Sequence, residues 1–307
     1  MKKLLITSSA LVAAAGMANA DGHSSVSLSM AGEIGISAVD FSSTATDGDA
    51  MLHQDIDVNF SGSTETDGGL TIAISADLDE AGNLGANTGQ TSGTNDQSTN
   101  GTVSVSGGFG NITMGDTDGA LDWAMTETAM GTAINDDHTA HAGYNGNSSL
   151  DSTSVVRYDN SFGDFSVAAS YAKGSQTASA VTAVGFKYTL ATAGTSLGIG
   201  VGYQDAGTTD LTGISLSMGS GGFTGVLNYS QRSTGAVDTD HMGIGLGYTM
   251  DALSLHVNYG EYESGGSSTD GWGGTVNYNL GGGVILALGV GQSDVKDTYS
   301  LGLRIDF

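Results

Sequence analysis

The sequence predicts an all-β fold, a transmembrane antiparallel β-barrel of about 16 strands. Three observations predict it. The chain ends Tyr299-Ser-Leu301-Gly-Leu303-Arg-Ile305-Asp-Phe307, apolar at every second position, with Ser300, Gly302, Arg304 and Asp306 between. Successive side chains of a strand point to opposite faces, so one face of this segment is oily and the other polar. The same pattern recurs along the whole chain at the segment length of a barrel strand. The composition agrees: 50 Gly, no Pro and no Cys. Proline removes a ladder donor, and its absence suits a chain that is mostly strand. Without cysteine, a secreted chain draws its stability from closed hydrogen-bonded structure.

The elements follow in order. Residues 1–20 read as a secretory signal: Lys2 and Lys3 lead, Leu4 to Met17 are largely apolar, and Ala18-Asn19-Ala20 is a small-x-small cleavage site. Residues 21–307 then form one barrel domain. No later stretch approaches the ~18 consecutive apolar residues of a spanning helix. The first strand carries Val26, Leu28, Met30, Ile34 and Ile36, and the second Ile56, Val58 and Phe60. A tight turn at Thr66-Asp67-Gly68-Gly69 leads to Leu70, Ile72, Ile74 and Leu78. After a polar loop over about 79–101, Val103 and Val105 pair with Ile112 and Met114. The longest connection spans about 115–152, and long loops are expected to alternate with tight turns.

Beyond it, Val156 and Tyr158 turn into Phe165, Val167 and Tyr171, and Val184, Phe186 and Tyr188 precede Leu197, Ile199, Val201 and Tyr203. Four further hairpin strands follow, through Ile214 to Tyr229 and Met242 to Tyr259. Trp272 to Leu280, Leu286 to Val290 and the terminal strand complete the set. The apolar face repeatedly ends on a ring, as at Tyr171, Tyr188, Tyr203, Tyr229, Tyr248, Tyr259 and Tyr278. Interfacial girdles of a membrane barrel place rings there, with the body in lipid and the hydroxyl in water. The opposite face is small and polar: Ser166, Ser170, Ser215, Ser217, Asn228, Ser230, Asn258 and Asn277. A tube of this many strands is too wide to fill with side chains, so its interior is water.

Charge narrows the partners. Lys2 and Lys3 are two of the 8 bases, so once the leader is removed 6 bases face 33 acids, a formal charge of about −27. Nucleic acid is excluded as a partner held by charge, and cations are the attracted species. Catalysis finds no support: His53, His138 and His141 lack a His-Glu-x-x-His pattern, and no nucleophile motif stands out. Gly198-Ile-Gly200-Val-Gly202 imitates a phosphate loop but belongs to a strand, where glycine gives lumen space or close packing.

These residues resemble a family. Val26-Ser-Leu-Ser-Met-Ala-Gly32, Thr102-Val-Ser-Val-Ser-Gly-Gly-Phe-Gly-Asn-Ile-Thr-Met-Gly-Asp116, Ser161-Phe-Gly-Asp-Phe-Ser-Val-Ala-Ala-Ser-Tyr171, Tyr278-Asn-Leu-Gly-Gly-Gly283 and the last strand are similar to the alphaproteobacterial general porins. The resemblance implies a homotrimer in the outer membrane of a Gram-negative bacterium, surrounded by outer-membrane lipid. It implies passive passage of small hydrophilic solutes and ions, with no reaction and no required cofactor. It also implies a C-terminal signal, Tyr299, Leu301, Leu303, Ile305 and Phe307, read by the barrel-assembly machinery. The third loop is implied to fold inward as a constriction whose acids face basic side chains on the wall. Asp116, Asp118, Asp122, Glu127, Asp136, Asp137 and Asp151 supply the acidic half.

The basic half departs from that pattern. No Lys or Arg lies between Lys3 and Arg157, and the second strand reads His53-Gln-Asp55-Ile-Asp57 where arginines are expected. His53, Asp55, Asp57 and Arg157 are therefore the candidate pore wall, with Arg157 as the one base placed to face the lumen near the loop. A ring of one sign selects against ions of that sign, so the pore is expected to prefer cations. Asp116, Asp118, Asp136 and Asp137 are candidate calcium ligands, since calcium takes several carboxylate and backbone oxygens. The alternative is plain solvated loop acid, because the spacing matches no full EF-hand. Arg304 either lines the lumen freely or pairs with Asp306 or Asp297. Two other functions fit the same pattern, a substrate-specific channel and a non-conducting structural or adhesive barrel.

Overall fold

In a computed structural model the described residues are 24–41, 48–80, 99–129, 131, 133–134, 154–173 and 179–307. The expected signal, residues 1–20, lies outside them. Sixteen strands occur in chain order. They are β1 (Ser24–Phe41), β2 (Met51–Glu65), β3 (Thr71–Glu80), β4 (Thr99–Gly107), β5 (Gly110–Gly115), β6 (Val155–Phe162), β7 (Phe165–Ala172) and β8 (Val181–Thr192). They continue as β9 (Thr195–Asp205), β10 (Thr209–Ser220), β11 (Phe223–Thr234), β12 (Val237–Met250), β13 (Leu253–Ser264), β14 (Ser267–Gly281), β15 (Val284–Ser293) and β16 (Lys296–Asp306). Each strand pairs antiparallel with its sequence neighbours, and β1 pairs with β16 from Ala31↔Asp306 to Phe41↔Lys296, which closes the barrel. Closure removes every sheet edge, the condition for strands to cross a bilayer.

The orientation of the two faces is as the alternation requires. In β8 the burial alternates strictly at first: Val181, Ala183 and Gly185 face the bore and are buried, while Thr182, Val184 and Phe186 face out and are exposed. Outward Leu216, Tyr229 and Leu246 are each more than two-fifths exposed, whereas inward Ser215, Asn228 and His241 are buried. A buried outward Tyr229 would have meant a greasy interior. The oily side faces hydrocarbon instead.

One end of the barrel carries tight turns, such as Gly163-Asp164, Gly221-Gly222 and Asp251-Ala252. Gly221 and Gly222 have φ of 56° and 86°, the left-handed region that a two-residue hairpin demands. The other end was expected to carry long loops throughout, and this needs correction. From β9 onward its connections shrink to 206–208, 235–236, 265–266 and 294–295. Polar stretches such as Gln231 to Asp240 continue the ladder rather than looping. A crossing needs only about 9–11 residues, and above the bilayer the backbone can keep pairing without an apolar face. Hence β14 reaches 15 residues.

That extension builds a polar rim above the outward rings. The hydroxyls of Tyr203, Tyr229 and Tyr259 donate to Asp210, Asp240 and Asp270 at 2.8, 2.8 and 2.9 Å, and Trp272 Nε1 donates to Gln292 at 2.9 Å. The register then sets acids directly opposite acids: Asp210↔Asp205, Asp240↔Glu263 and Glu261↔Asp270. Like charges directly opposed destabilise a sheet by about 0.2–1 kcal/mol per pair, and salt screens them. The triple variant Asp205→Asn, Glu261→Gln, Glu263→Gln is expected to melt higher than the wild type at low salt. At ~1 M NaCl, where the Debye length is about 3 Å, the two melting curves should coincide.

Candidate constriction in the bore

Leaving β5, the chain turns inward at Gly115 (φ 128°), and Asp116 N–H donates to Gly101 O at 3.1 Å. A single helical turn, α1 (Ala120–Ala124), follows inside the barrel. It was not foreseen in an all-strand reading. No side chain caps its first turn; Ala120 N–H donates to Ser170 Oγ of β7 at 2.8 Å instead. The helix buries Ala120 and Leu121 against Ala168, Ala183 and Leu211, with Trp123 and Met125 at the margin.

From α1 the loop is seated along the wall in a bed of bore-facing glycines. A Cβ at Gly185 or Gly200 would collide with the carbonyl oxygens of Ala120 and Ala124, and one at Gly202 would stand 2.9 Å from Leu121 Cα. Gly213 lies under Met125, and Gly245 under the backbone of Thr128. A Cβ at Gly289 would strike Ala133, and Gly302 and Gly35 lie against Ile134 Cδ1. Ala133, Ile134 and Thr128 are fully buried as a result. The described part of the loop, as far as Ile134, therefore follows the wall from β8 round to β1.

Polar side chains fasten it. Ser215 Oγ accepts from Thr126 N–H at 2.9 Å, and Asn228 Nδ2 donates to Thr126 O at 2.9 Å. His256 Nε2 lies 3.1 Å from Thr128 O; a carbonyl only accepts, so Nε2 carries the proton. Arg157 donates to Asp118 O at 2.8 Å. These inward polar residues satisfy backbone groups that the bore would otherwise leave buried without a partner.

Charge is sorted around the bore. At the loop's root, Arg157 Nε meets Asp159 Oδ1 at 3.2 Å. Lys187 Nζ stands 4.1 Å from the centre of the Trp123 ring, and Arg157 Cζ 5.9 Å from it. Asp118 and Asp159 act on Lys187 through space. Near Ile134, Glu33 of β1 takes Arg304 Nε at 3.1 Å and His53 Nε2 at 3.3 Å. Glu33 is paired across the sheet with Asp55, and Asn59 with Asp77, so acids continue along β2 and β3.

The expected site residues fall as follows. Asp116 and Asp118 are exposed at the loop's root, Asp122 and Glu127 are half-buried along its course, and His53, Asp55 and Asp57 sit on the half-buried bore face of β2. Asp136, Asp137, Asp151, His138 and His141 lie outside the described residues. Among the described residues no three His, Asp or Glu side chains converge to hold a metal ion. Arg157 faces the bore, but Lys187 joins it, which corrects the reading of Arg157 as the one base near the loop. Arg304 lines the bore and pairs with Glu33 rather than with Asp306 or Asp297. Lys187 had a signal: it is the one charge in β8, at a bore-facing position of the alternation. Glu33 had a similar signal, as the one charge at a bore-facing position of β1.

A closed barrel with an apolar outer face and a loop inlaid in its bore defines a membrane channel of the porin class. A profile of the Gram-negative porin family matches residues 7–298, and the chain belongs to that family. Its place is the outer membrane of Gram-negative bacteria, and its family are channels rather than enzymes. Comparison with curated proteins finds no significant sequence match. Among solved structures, a porin refined at 1.8 Å resolution is similar with a TM-score of 0.69 at 21% identity. An anion-selective porin from Comamonas acidovorans follows at 0.66 and 18%, and a triple mutant of Rhodopseudomonas blastica porin at 0.62 and 17%. Each likeness covers 92% of this chain and 100% of the other. At these identities the likeness is one of fold.

Proposed function

We propose that this chain is a passive general-diffusion pore, assembled as a homotrimer, that admits small hydrophilic solutes and prefers cations. The observation that carries the preference is the charge count in the bore. Among the described residues, wall acids Glu33, Asp55, Asp57, Asp77 and Asp159 and loop acids Asp118, Asp122 and Glu127 outnumber the bases Arg157, Lys187, Arg232, Lys296 and Arg304. A low-dielectric wall focuses that excess into the water column and raises the local cation concentration. The Comamonas acidovorans porin is anion-selective; the acid excess here argues for the opposite sign. The bore-facing positions of β6–β16 are mostly Ser, Thr, Gly, Ala and Asn, with Tyr262 among them, and offer no stacking track for one particular sugar.

The trimer is supported by an asymmetry of the outer face. None of the 11 tyrosines and neither tryptophan lies in β1–β5, so the interfacial ring is interrupted there. Exposed Val26, Leu28, Met30, Ile34 and Ile36 form a smooth apolar face instead, suited to protein rather than to a lipid headgroup boundary. The measurement is the reversal potential of purified protein in a planar bilayer under a KCl gradient. Cation preference is the expected result, from particles with the mass of three chains in detergent. Anion preference, or absence of steady conductance, overturns the reading.

A further inference from the structure

The polar rim above the outward rings is of one sign. Every Asp and Glu of β9–β15 lies on the outward face, continuing the alternation of the rings and aliphatic side chains below. The one Lys or Arg in those strands is Arg232, which faces the bore across from buried Leu211. Their histidines, His241 and His256, are buried on the bore side as well. The outward rim of these strands is therefore acid without any base.

The rings set the height of these acids. The next outward position beyond Tyr203 is Asp205, beyond Tyr259 Glu261, and beyond Trp272 Asp270. Two residues along a strand tilted by about 40° rise about 5 Å. A headgroup layer is about 5–8 Å deep. With the rings at the edge of the hydrocarbon, these carboxylates stand among headgroups rather than in bulk water. The phenol bonds to Asp210, Asp240 and Asp270 hold three of the acids at that level. A carboxylate has about four acceptor sites, so a phenol leaves it capacity for a second donor.

We propose that the β9–β15 rim is a lipid-headgroup surface, which takes headgroups bearing a primary ammonium and turns away those that carry only phosphate charge. Exposed Val257, Tyr259 and Val276 lie directly below, on the face that an outer-membrane barrel turns to lipid. An ammonium beside a carboxylate forms a charge-assisted hydrogen bond. A lone phosphate diester there meets the field that draws basic segments to anionic lipid, with the sign reversed. Among the described residues no three His, Asp or Glu side chains converge to hold a metal ion. The rim thus presents its carboxylates singly, each fitted to one ammonium, rather than in groups fitted to a chelated divalent ion.

Trp272 is outward, 45% exposed and one outward step below Asp270, and Trp123→Phe makes it the sole tryptophan. Acyl chains carrying bromine quench the fluorescence of a ring they touch, so Trp272 reads which lipid sits beneath this rim. The protein is folded into vesicles of brominated phosphatidylcholine mixed with phosphatidylethanolamine or with phosphatidylglycerol, at low salt and free of divalent cations. Phosphatidylethanolamine is expected to displace the brominated lipid about twofold better than phosphatidylglycerol does. With Glu261→Gln, Glu263→Gln and Asp270→Asn added, the two should compete equally. If that variant folds poorly, the unsubstituted rim at ~1 M NaCl, where the Debye length is about 3 Å, is expected to lose the preference too. Equal competition at the acid rim in low salt overturns the inference, as does a preference that survives neutralisation or salt. A switch to phosphatidylglycerol on adding magnesium would make metal-bridged anionic lipid the occupant, and overturns it as well.

Discussion

Valine at both Gly200 and Gly245 should lift the constriction loop from its bed and raise single-channel conductance by about twofold. Side chains at these positions enter space held by backbone: Ala124 O at Gly200 and Thr128 O at Gly245. Backbone seated on a rigid ladder yields poorly, and each overpacked position costs about 1–3 kcal/mol. Displacement also breaks the bonds from Thr126 to Ser215 and Asn228, each worth about 0.5–1.5 kcal/mol. The loop is the cheaper element to move, since the barrel's ladder is shared by every strand. Gly198→Val is the control. It sits on the same face of β9 as Gly200, but among the described residues its Cβ meets the Ser217 side chain and no loop atom. Planar-bilayer recording of the three proteins decides the matter: equal conductance would place the narrowest point elsewhere than this loop.

Arginine at Leu216 should abolish assembly, while arginine at the next residue, Ser217, should be accepted. Leu216 faces outward near the middle of β10 and is 44% exposed, toward hydrocarbon once the barrel is inserted. An arginine there costs about 2–4 kcal/mol at the bilayer midplane, a large part of the typical 5–15 kcal/mol that holds a fold together. Ser217 faces the bore, where an arginine stays in water. The readout is the fraction of folded barrel after refolding into lipid vesicles, followed by the mobility of unboiled protein on a gel. Equal yields for Leu216→Arg and Ser217→Arg would contradict the assignment of faces.

The faces were legible because side-chain direction is local: a period of two places Leu216 and Ser217 on opposite sides without reference to any other strand. The start of the constriction was legible too, because Asp116 and Asp118 follow directly on β5. The glycines at 198, 200 and 202 were read as giving space or close packing, and at 200 and 202 they do so against the loop. Which atoms occupy that space was not readable. It depends on closure, which brings residues 120–134 against β8 through β16 and back to β1. The same holds for ion partners. Arg304 meets Glu33 because β16 pairs with β1, a contact spanning nearly the whole chain, while Asp306 and Asp297 were its neighbours only in sequence. The long upper hairpins were missed for another reason. Outside the membrane a strand needs no alternation, so Gln231 to Asp240 carries no pattern to detect.

The position of Ile134 bears on how the ring is finished. Its Cδ1 lies against Gly35 on the first strand and Gly302 on the last, where a Cβ at Gly302 would stand 2.7 Å away. These two strands lie at opposite ends of the chain and pair to close the ring. A methyl group delivered from mid-sequence thus fills a notch at this joint, bridging both lips of the cylinder. Strap and seam are thus shaped to one another: a side chain at either glycine would run into that methyl.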